Sequence, residues 1–132
     1  MSKIQKAFTK LTLNDWVKVD LGHYKDFYLI GIKGKKAKKD IIDPEKLRKI
    51  KFEIAVETGL KKKFITVSYI TLNFEDISSS DAEINKITGY TRYVNGPSRF
   101  YIRAVEVIDN SNTCYREGKL AVKININPQN LG

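Results

Sequence analysis

Aromatic and basic residues stand close together in the segment "TGYTRYVNGPSRFYIRAVEV", residues 88–107. This combination suits single-stranded nucleic acid, because rings stack on bases while cations hold the phosphates. Arginine can serve both purposes, since its planar guanidinium group stacks as well as carrying charge. The candidate binding residues of this segment are two tyrosines and three arginines, Tyr90, Arg92, Arg99, Tyr101 and Arg103.

Alternation along the second half of this segment separates candidate binding residues from core residues. Arg99, Tyr101 and Arg103 share one parity of a predicted strand, so we expect them to face outward together. Phe100 has the opposite parity, with Ile102, and is predicted to lie in the core. In the first half, the parity of Tyr93 is opposite to that of Tyr90 and Arg92, which makes it the weaker candidate.

Three further segments carry cations beside rings. Their candidate binding residues are Lys33, Lys35 and Lys36, in a lysine run that also includes Lys38 and Lys39; Lys61, Lys62 and Lys63 with Phe64; and Tyr115 with Arg116. A solvated loop is the alternative interpretation of each lysine run. Trp16 could also stack on a base, but a single tryptophan at the start of a strand favours a place in the core.

Length and charge limit the class of protein. The chain has 132 residues with 42% hydrophobic content, which is enough for one domain with its own core. Lysine and arginine number 24 against 15 acidic residues, a formal charge of +9. Such an excess predicts an anionic partner, whether nucleic acid, a membrane surface or an acidic protein, although solubility alone is an alternative.

The N-terminus and the hydropathy pattern predict where the protein resides. No apolar run approaches the roughly 20 residues of a membrane span. The first residues, "MSKIQKAFTKLTLNDW", lack the apolar core and the cleavage site of a signal peptide. A cytoplasmic protein without a membrane partner is therefore expected.

Residues for catalysis or for metal binding are sparse. Cys114 and His23 are the only residues of their types, so neither a disulfide framework nor a transition-metal site is predicted. "GIKGKK" lacks the spacing of a phosphate-binding P-loop. Asp109, Glu117 and Lys119 are faintly similar to a metal-dependent nuclease pattern, a spacing that chance often produces. The sequence predicts a non-enzymatic protein without a cofactor.

The expected elements are mostly strands. Alternation and β-branched content predict strands at 16–21, 27–34, 51–59, 64–74, 86–94, 98–108 and 118–127, with a bulge or bend near Tyr69 and Ile70. Two short helices are predicted, one after Asp43 and Pro44 and one over 78–86 that begins with a Ser80–Glu83 capping box. We expect an N-terminal arm at 1–13, one domain at 14–127 and a tail at 128–132. The arm would pack on the domain or on a neighbouring subunit.

The chain from Phe27 to Asp109 resembles the oligonucleotide-binding fold of single-stranded DNA-binding proteins. The similar stretches are "DFYLIGIKGKKAKKD", "KIKFEIAVETGLKKKFITVSYI", "ISSSDAEINK" and "ITGYTRYVNGPSRFYIRAVEVID". The resemblance implies a mainly β, five-stranded barrel with one or two short helices, extended here by the arm and an extra C-terminal strand. The chain ends "NININPQNLG", whereas the cellular family usually ends in an acidic tail, so a plasmid- or phage-type accessory member fits better.

The resemblance also implies a function. We expect sequence-independent coating of single-stranded DNA, with RNA as a possible target, by a homo-oligomer held through residues 1–13. Two other functions stay open: a viral coat protein or nucleoprotein, and a basic module that binds an acidic protein.

Overall fold

The computed structural model describes residues 6–8, 10–59, 63–74, 88–93 and 97–129, with the backbone alone at 6–8, 88–90, 92 and 93. These ranges are mainly β, as expected. The strands are β1 (Lys6–Phe8), β2 (Leu11–Thr12), β3 (Val17–Asp20), β4 (Asp26–Lys33), β5 (Leu47–Thr58), β6 (Lys63–Asn73), β7 (Thr88–Tyr93), β8 (Arg99–Asp109), β9 (Cys114–Tyr115), β10 (Lys119–Leu120) and β11 (Val122–Gln129). Within this part of the chain, no helix is long and apolar enough to cross a membrane.

The main sheet is open rather than closed. Its strands are paired in the order β1-β11-β4-β7-β6-β5-β8-β3, and β9 pairs with β8 beside this path. A second sheet consists of β2 and β10. The predicted five-stranded barrel is therefore not what the described strands form. Because β11 and β7 occupy both edges of β4, this central strand has no edge left for the β5–β6 hairpin.

Strands β7 and β8 follow one another in the chain but are not paired with each other in the described residues. Strand β7 pairs with β4 over its whole length and meets β6 only at Asn73 and Tyr90. Strand β8 pairs instead with β5, β3 and β9. The residues "NGPS" predict a turn, and a turn does not require the two strands beside it to be partners.

The sheet folds back over its own core. The ring of Phe27 on β4 stacks on that of Phe100 on β8, with centroids 5.3 Å apart. Gly31 permits a similar approach between β4 and β6, since a Cβ atom there would lie 2.7 Å from side-chain atoms of both Leu72 and Phe74. Phe100 is 2% exposed, as the alternation predicted.

Much of the predicted arm belongs to the body of the protein. Strand β1 pairs with β11, and β2 pairs with β10. Leu11 and Leu13 are buried in the main core. Packing on the domain was one of the two expected positions for the arm, and these residues adopt it. Strand β11 also continues into the predicted tail, as far as Gln129.

Local signals predicted several details of the elements. Asp43 caps a single 3₁₀ turn at Pro44–Lys46, where its carboxylate accepts a hydrogen bond from the Glu45 amide. The register of β5 and β6 shifts between Ile54 and Ala55, opposite Val67, close to the expected irregularity. The helix predicted over 78–86 lies outside the described residues.

Candidate nucleic-acid interface

Strands β6 and β8, together with Trp16 just before β3, place aromatic side chains on one outer face of the sheet. In the register of the strands, Tyr101 on β8 is opposite Lys18 on β3 and Ala55 on β5. Glu53 on β5 is opposite both Arg103 and Tyr69. Paired residues of an antiparallel sheet point to the same side, so these positions share a face. We call it the ring face and define it by Trp16, Phe64, Tyr69, Tyr101 and Arg103.

Three of these rings form a contiguous row. The Trp16 and Phe64 centroids are 5.0 Å apart with planes inclined by 68°, and the Phe64 and Tyr101 centroids are 4.4 Å apart at 34°. Ala55, the small residue in this part of the outer face, is fully buried. Phe64 remains 40% exposed and Tyr69 55%. The row therefore presents apolar ring surface to solvent, where a base could stack.

Arg103 is held between an acid and the indole ring. Its Nε and Nη2 atoms each lie 2.8 Å from Glu53 Oε1, and its guanidinium carbon lies 4.4 Å from the Trp16 ring centroid. The Thr66 hydroxyl donates a hydrogen bond to the other oxygen of Glu53. Burial raises the pKa of Glu53, but the Thr66 hydroxyl and Arg103 outweigh it and hold that pKa below its usual value. Arg103 is therefore neutralised and oriented for stacking, instead of being a freely moving phosphate clamp.

The two tyrosines of the ring face, Tyr101 and Tyr69, also have polar neighbours. The Tyr101 hydroxyl donates to Glu57 at 3.0 Å, and this bond, together with burial, raises the pKa of Tyr101. The Lys51 ammonium group lies 4.6 Å from the Tyr69 ring centroid, close enough for a cation–π interaction.

The ring face carries charges of both signs. Arg99 is widely exposed and lies 3.3 Å from Asp20. Lys49 and Lys51 occupy the same region as Glu106. A mixed face gives weaker phosphate attraction than an all-basic one, so its rings are the more distinctive feature.

The lysine loop, residues 33–39, is a second region rich in cations. Lys35, Lys36, Lys38 and Lys39 are exposed. Lys33 is half-buried, with its ammonium group 3.4 Å from the Glu45 carbonyl oxygen and 5.8 Å from the Phe74 ring centroid.

Two contacts anchor the ends of this loop. The Gly34 amide donates to the Ala121 carbonyl at 2.7 Å. At the other end, buried Asp40 pairs with Lys10 at 2.7 Å, and the hydrogen bond from Lys10 is the main cause that lowers the pKa of Asp40. The exposed lysines are thus presented by a loop whose two ends are fixed to the sheet region.

Tyr115, a sequence-predicted binding residue, has a structural role. Its ring packs against the core, and its hydroxyl donates to Asp109 at 3.3 Å. The Asp109 carboxylate also accepts the amides of Ser111 and Thr113, both at 2.9 Å. Burial raises the pKa of Asp109, but these hydrogen bonds outweigh it and the pKa is lowered overall. Asp109 therefore stabilises the β8–β9 turn. Arg116, which follows Tyr115 in the chain, is exposed.

The remaining sequence-predicted residues are placed less fully. Lys63 is exposed beside Phe64, whereas Lys61 and Lys62 lie outside the described residues. Tyr90 and Arg92 are described by their backbone, which pairs them with Ile30 and Tyr28 on β4. The structure therefore brings Phe64, Tyr101 and Arg103 together and puts Tyr90 and Arg92 on a different part of the sheet.

Sequence reasoning missed two rings of the face and one cation. Trp16 was expected in the core, yet it is half-buried and contacts Phe64 and Arg103. Tyr69 was treated as part of a bend, and exposed Lys18 was not considered. Cross-strand parity with Tyr101 and Arg103 would have found Tyr69 and Lys18, but only if the strand partners had been known.

The described part of the chain contains no cluster of three or more His, Cys, Asp or Glu side chains that could hold a metal ion. No protein-family model, curated protein or solved structure matches this chain.

Proposed function

We propose that the protein binds single-stranded nucleic acid, with DNA as the expected target, without enzymatic activity and with little sequence preference. The observation that carries this proposal is the row Trp16–Phe64–Tyr101 on an open sheet face. Rings stack on any base, and each stacked base contributes about 1–3 kcal/mol. The sequence resemblance to single-stranded DNA-binding proteins supports the same proposal.

Charge supports the proposal in a second way. The chain carries a formal +9, and the lysine loop exposes four ammonium groups. Phosphates would be held mainly by these lysines and by Lys18 and Lys63, while the neutralised Arg103 adds stacking. Binding should then have a salt-dependent part from lysine and a salt-resistant part from the rings.

Fluorescence anisotropy with a labelled oligothymidine and its duplex counterpart tests the proposal. We expect tighter binding to the single strand, because the bases of a duplex are already paired and stacked and cannot stack on the ring row. Part of the affinity for the single strand should remain at high salt. Equal binding to both probes, or complete loss at modest salt, would contradict stacking and reduce the interaction to general charge attraction.

A packaging protein or nucleoprotein is the second candidate, and strand β6 favours it. Ile65 is 51% exposed and Val67 46%, and in the described chain β6 meets β7 at one residue pair. A strand that combines exposed apolar side chains with a largely unpaired backbone edge in the described residues favours the addition of further copies. Light scattering with and without oligonucleotide distinguishes the candidates, since closed particles of fixed size indicate a shell and chains that grow with strand length indicate coating.

A further inference from the structure

A cleft of about 390 Å³ adjoins one end of the ring face. Its lining includes Trp16 and Arg103 from that face, the buried side chains Phe52 and Ala104, and exposed Lys18. Small-molecule sites commonly have volumes of roughly 300–1,000 Å³ and combine apolar side chains with a few polar groups. The cleft has such a volume, and its lining mixes apolar and polar side chains.

The cleft opens where strand β3 leaves strand β8. The two strands pair from Asp20 and Arg99 as far as Val17 and Ile102. On the N-terminal side of Val17, the chain turns at Asn14, which has a positive φ of 71°. The Asn14 amide donates to the Ala104 carbonyl of β8 at 2.7 Å. Between this hydrogen bond and the Val17–Ile102 pair, Asp15 and Trp16 lie outside the β3–β8 pairing and line the cleft, so we call them its rim.

The rim is held in place by further hydrogen bonds. The Leu13 amide donates to the Gly118 carbonyl at 3.0 Å, and the Asn14 side chain donates to the Arg116 carbonyl at 2.8 Å. Glu53 on the neighbouring strand β5 holds the Arg103 guanidinium group, with Nη2 and Oε1 2.8 Å apart. A cleft with fixed walls requires little ordering when a ligand enters, which favours a formed site over a transient gap.

We infer that this cleft takes one nucleotide unit of the bound strand, with the base against the Trp16 indole and the phosphate at Lys18. The inference rests on the proposed function and deepens it, since the cleft would fix the register of a strand that continues over Phe64 and Tyr101. Asp15 supplies an acceptor at the rim for an N–H group of the base.

Trp16 is the only tryptophan of the chain, so its fluorescence reports on the cleft directly. Titration with thymidine 5′-monophosphate should change this fluorescence in a saturable way. Thymidine, which lacks the phosphate, should bind about tenfold more weakly, as should the nucleotide to Lys18→Gln, because each loses one charged contact. Lys49→Gln is the matched control, since Lys49 lies on the same outer side of the sheet but away from the cleft, and its affinity should equal that of the unmodified protein.

Tyr69→Ala separates this inference from the proposed function. Tyr69 belongs to the ring face but does not line the cleft, so the variant should bind oligothymidine more weakly and the mononucleotide unchanged. Absence of a saturable change up to about 10 mM nucleotide, above the millimolar range of weak recognition, would overturn the inference. Equal losses in Lys18→Gln and Lys49→Gln would also overturn it. If the mononucleotide binds but oligothymidine binds no more tightly, the proposed function fails and the cleft stands.

Discussion

The ring face and the lysine loop both bring cations to the surface, but they use them differently. On the ring face, Arg103 is bonded to Glu53 and stacked on Trp16, and Arg99 lies beside Asp20. In the loop, Lys35, Lys36, Lys38 and Lys39 extend into solvent. A basic residue near a ring is therefore not necessarily a phosphate clamp. The loop should supply the salt-dependent part of binding, and the face the salt-resistant part.

Removal of the central ring should give the largest effect. Phe64 contacts both Trp16 and Tyr101, so Phe64→Ala interrupts the row. We expect affinity for oligothymidine to fall by about 1–3 kcal/mol, roughly fivefold to 150-fold, with an unchanged salt slope. Anisotropy titrations at several salt concentrations measure both quantities.

The matched control for this variant is Ile65→Ala, because Ile65 is exposed on the same strand but pairs with Val56 on the opposite side of the sheet. Its affinity should stay within twofold of the unmodified protein. Equal losses in the two variants would show that the row of rings has no special role.

Glu53→Gln should have the next largest effect, on stability. The substitution removes the charge that pairs with Arg103, and a buried hydrogen bond to a charged group contributes about 1.5–3 kcal/mol. Because the pKa of Glu53 is lowered by folding, its charge stabilises the fold above the ordinary glutamate pKa and loses this effect as pH falls through the lowered value.

Urea unfolding as a function of pH checks this expectation. Other carboxylates titrate in both proteins, but Glu53 titrates only in the unmodified one. The unmodified protein should therefore lose more stability than Glu53→Gln on acidification below about pH 4. Parallel pH profiles would mean that the Glu53–Arg103 pair does not hold the ring face together.

Neutralising the loop should change the salt dependence more than the affinity at high salt. In the fourfold variant with glutamine at Lys35, Lys36, Lys38 and Lys39, the slope of log affinity against log salt should decrease by about 0.7 for each lost phosphate contact. An unchanged slope, measured by the same titrations, would show that this loop is only a solvated surface.

Tyr101→Phe should have the smallest effect. The ring and its contact with Phe64 remain, and only the hydrogen bond to Glu57 is lost. An affinity within about twofold of the unmodified protein is expected, since stacking needs the ring and not the hydroxyl. A loss as large as that of Phe64→Ala would assign the binding to the hydroxyl and contradict the stacking account.

Alternation along single strands predicted part of this site and could not predict the rest. It placed Phe100 in the core and Tyr101 and Arg103 on the outer side, because parity is a local property of a strand. The contact between Trp16 and Phe64 joins residues far apart in the chain and depends on which strands become neighbours. The pairing of β7 with β4 depends on the same choice of neighbouring strands, and it places the Tyr90 backbone opposite Ile30 and not beside Tyr101.

For the fold as well, the sequence predicted the local elements but not which strands pair. Most strands lie within a few residues of their expected positions, and the Asp43 cap was confirmed. Barrel closure was wrong, because it depends on the edges of β4, which β7 and β11 occupy. The register between distant strands carries this information, and the pattern within one strand does not.

Ultraviolet crosslinking of bound oligothymidine, followed by peptide mapping, tests the central claim most directly. We expect crosslinks to Trp16, Phe64, Tyr69 and Tyr101, which persist at a salt concentration that removes binding through the lysine loop. Crosslinks confined to residues 33–39, or lost entirely when salt is raised, would contradict a strand stacked on the ring face.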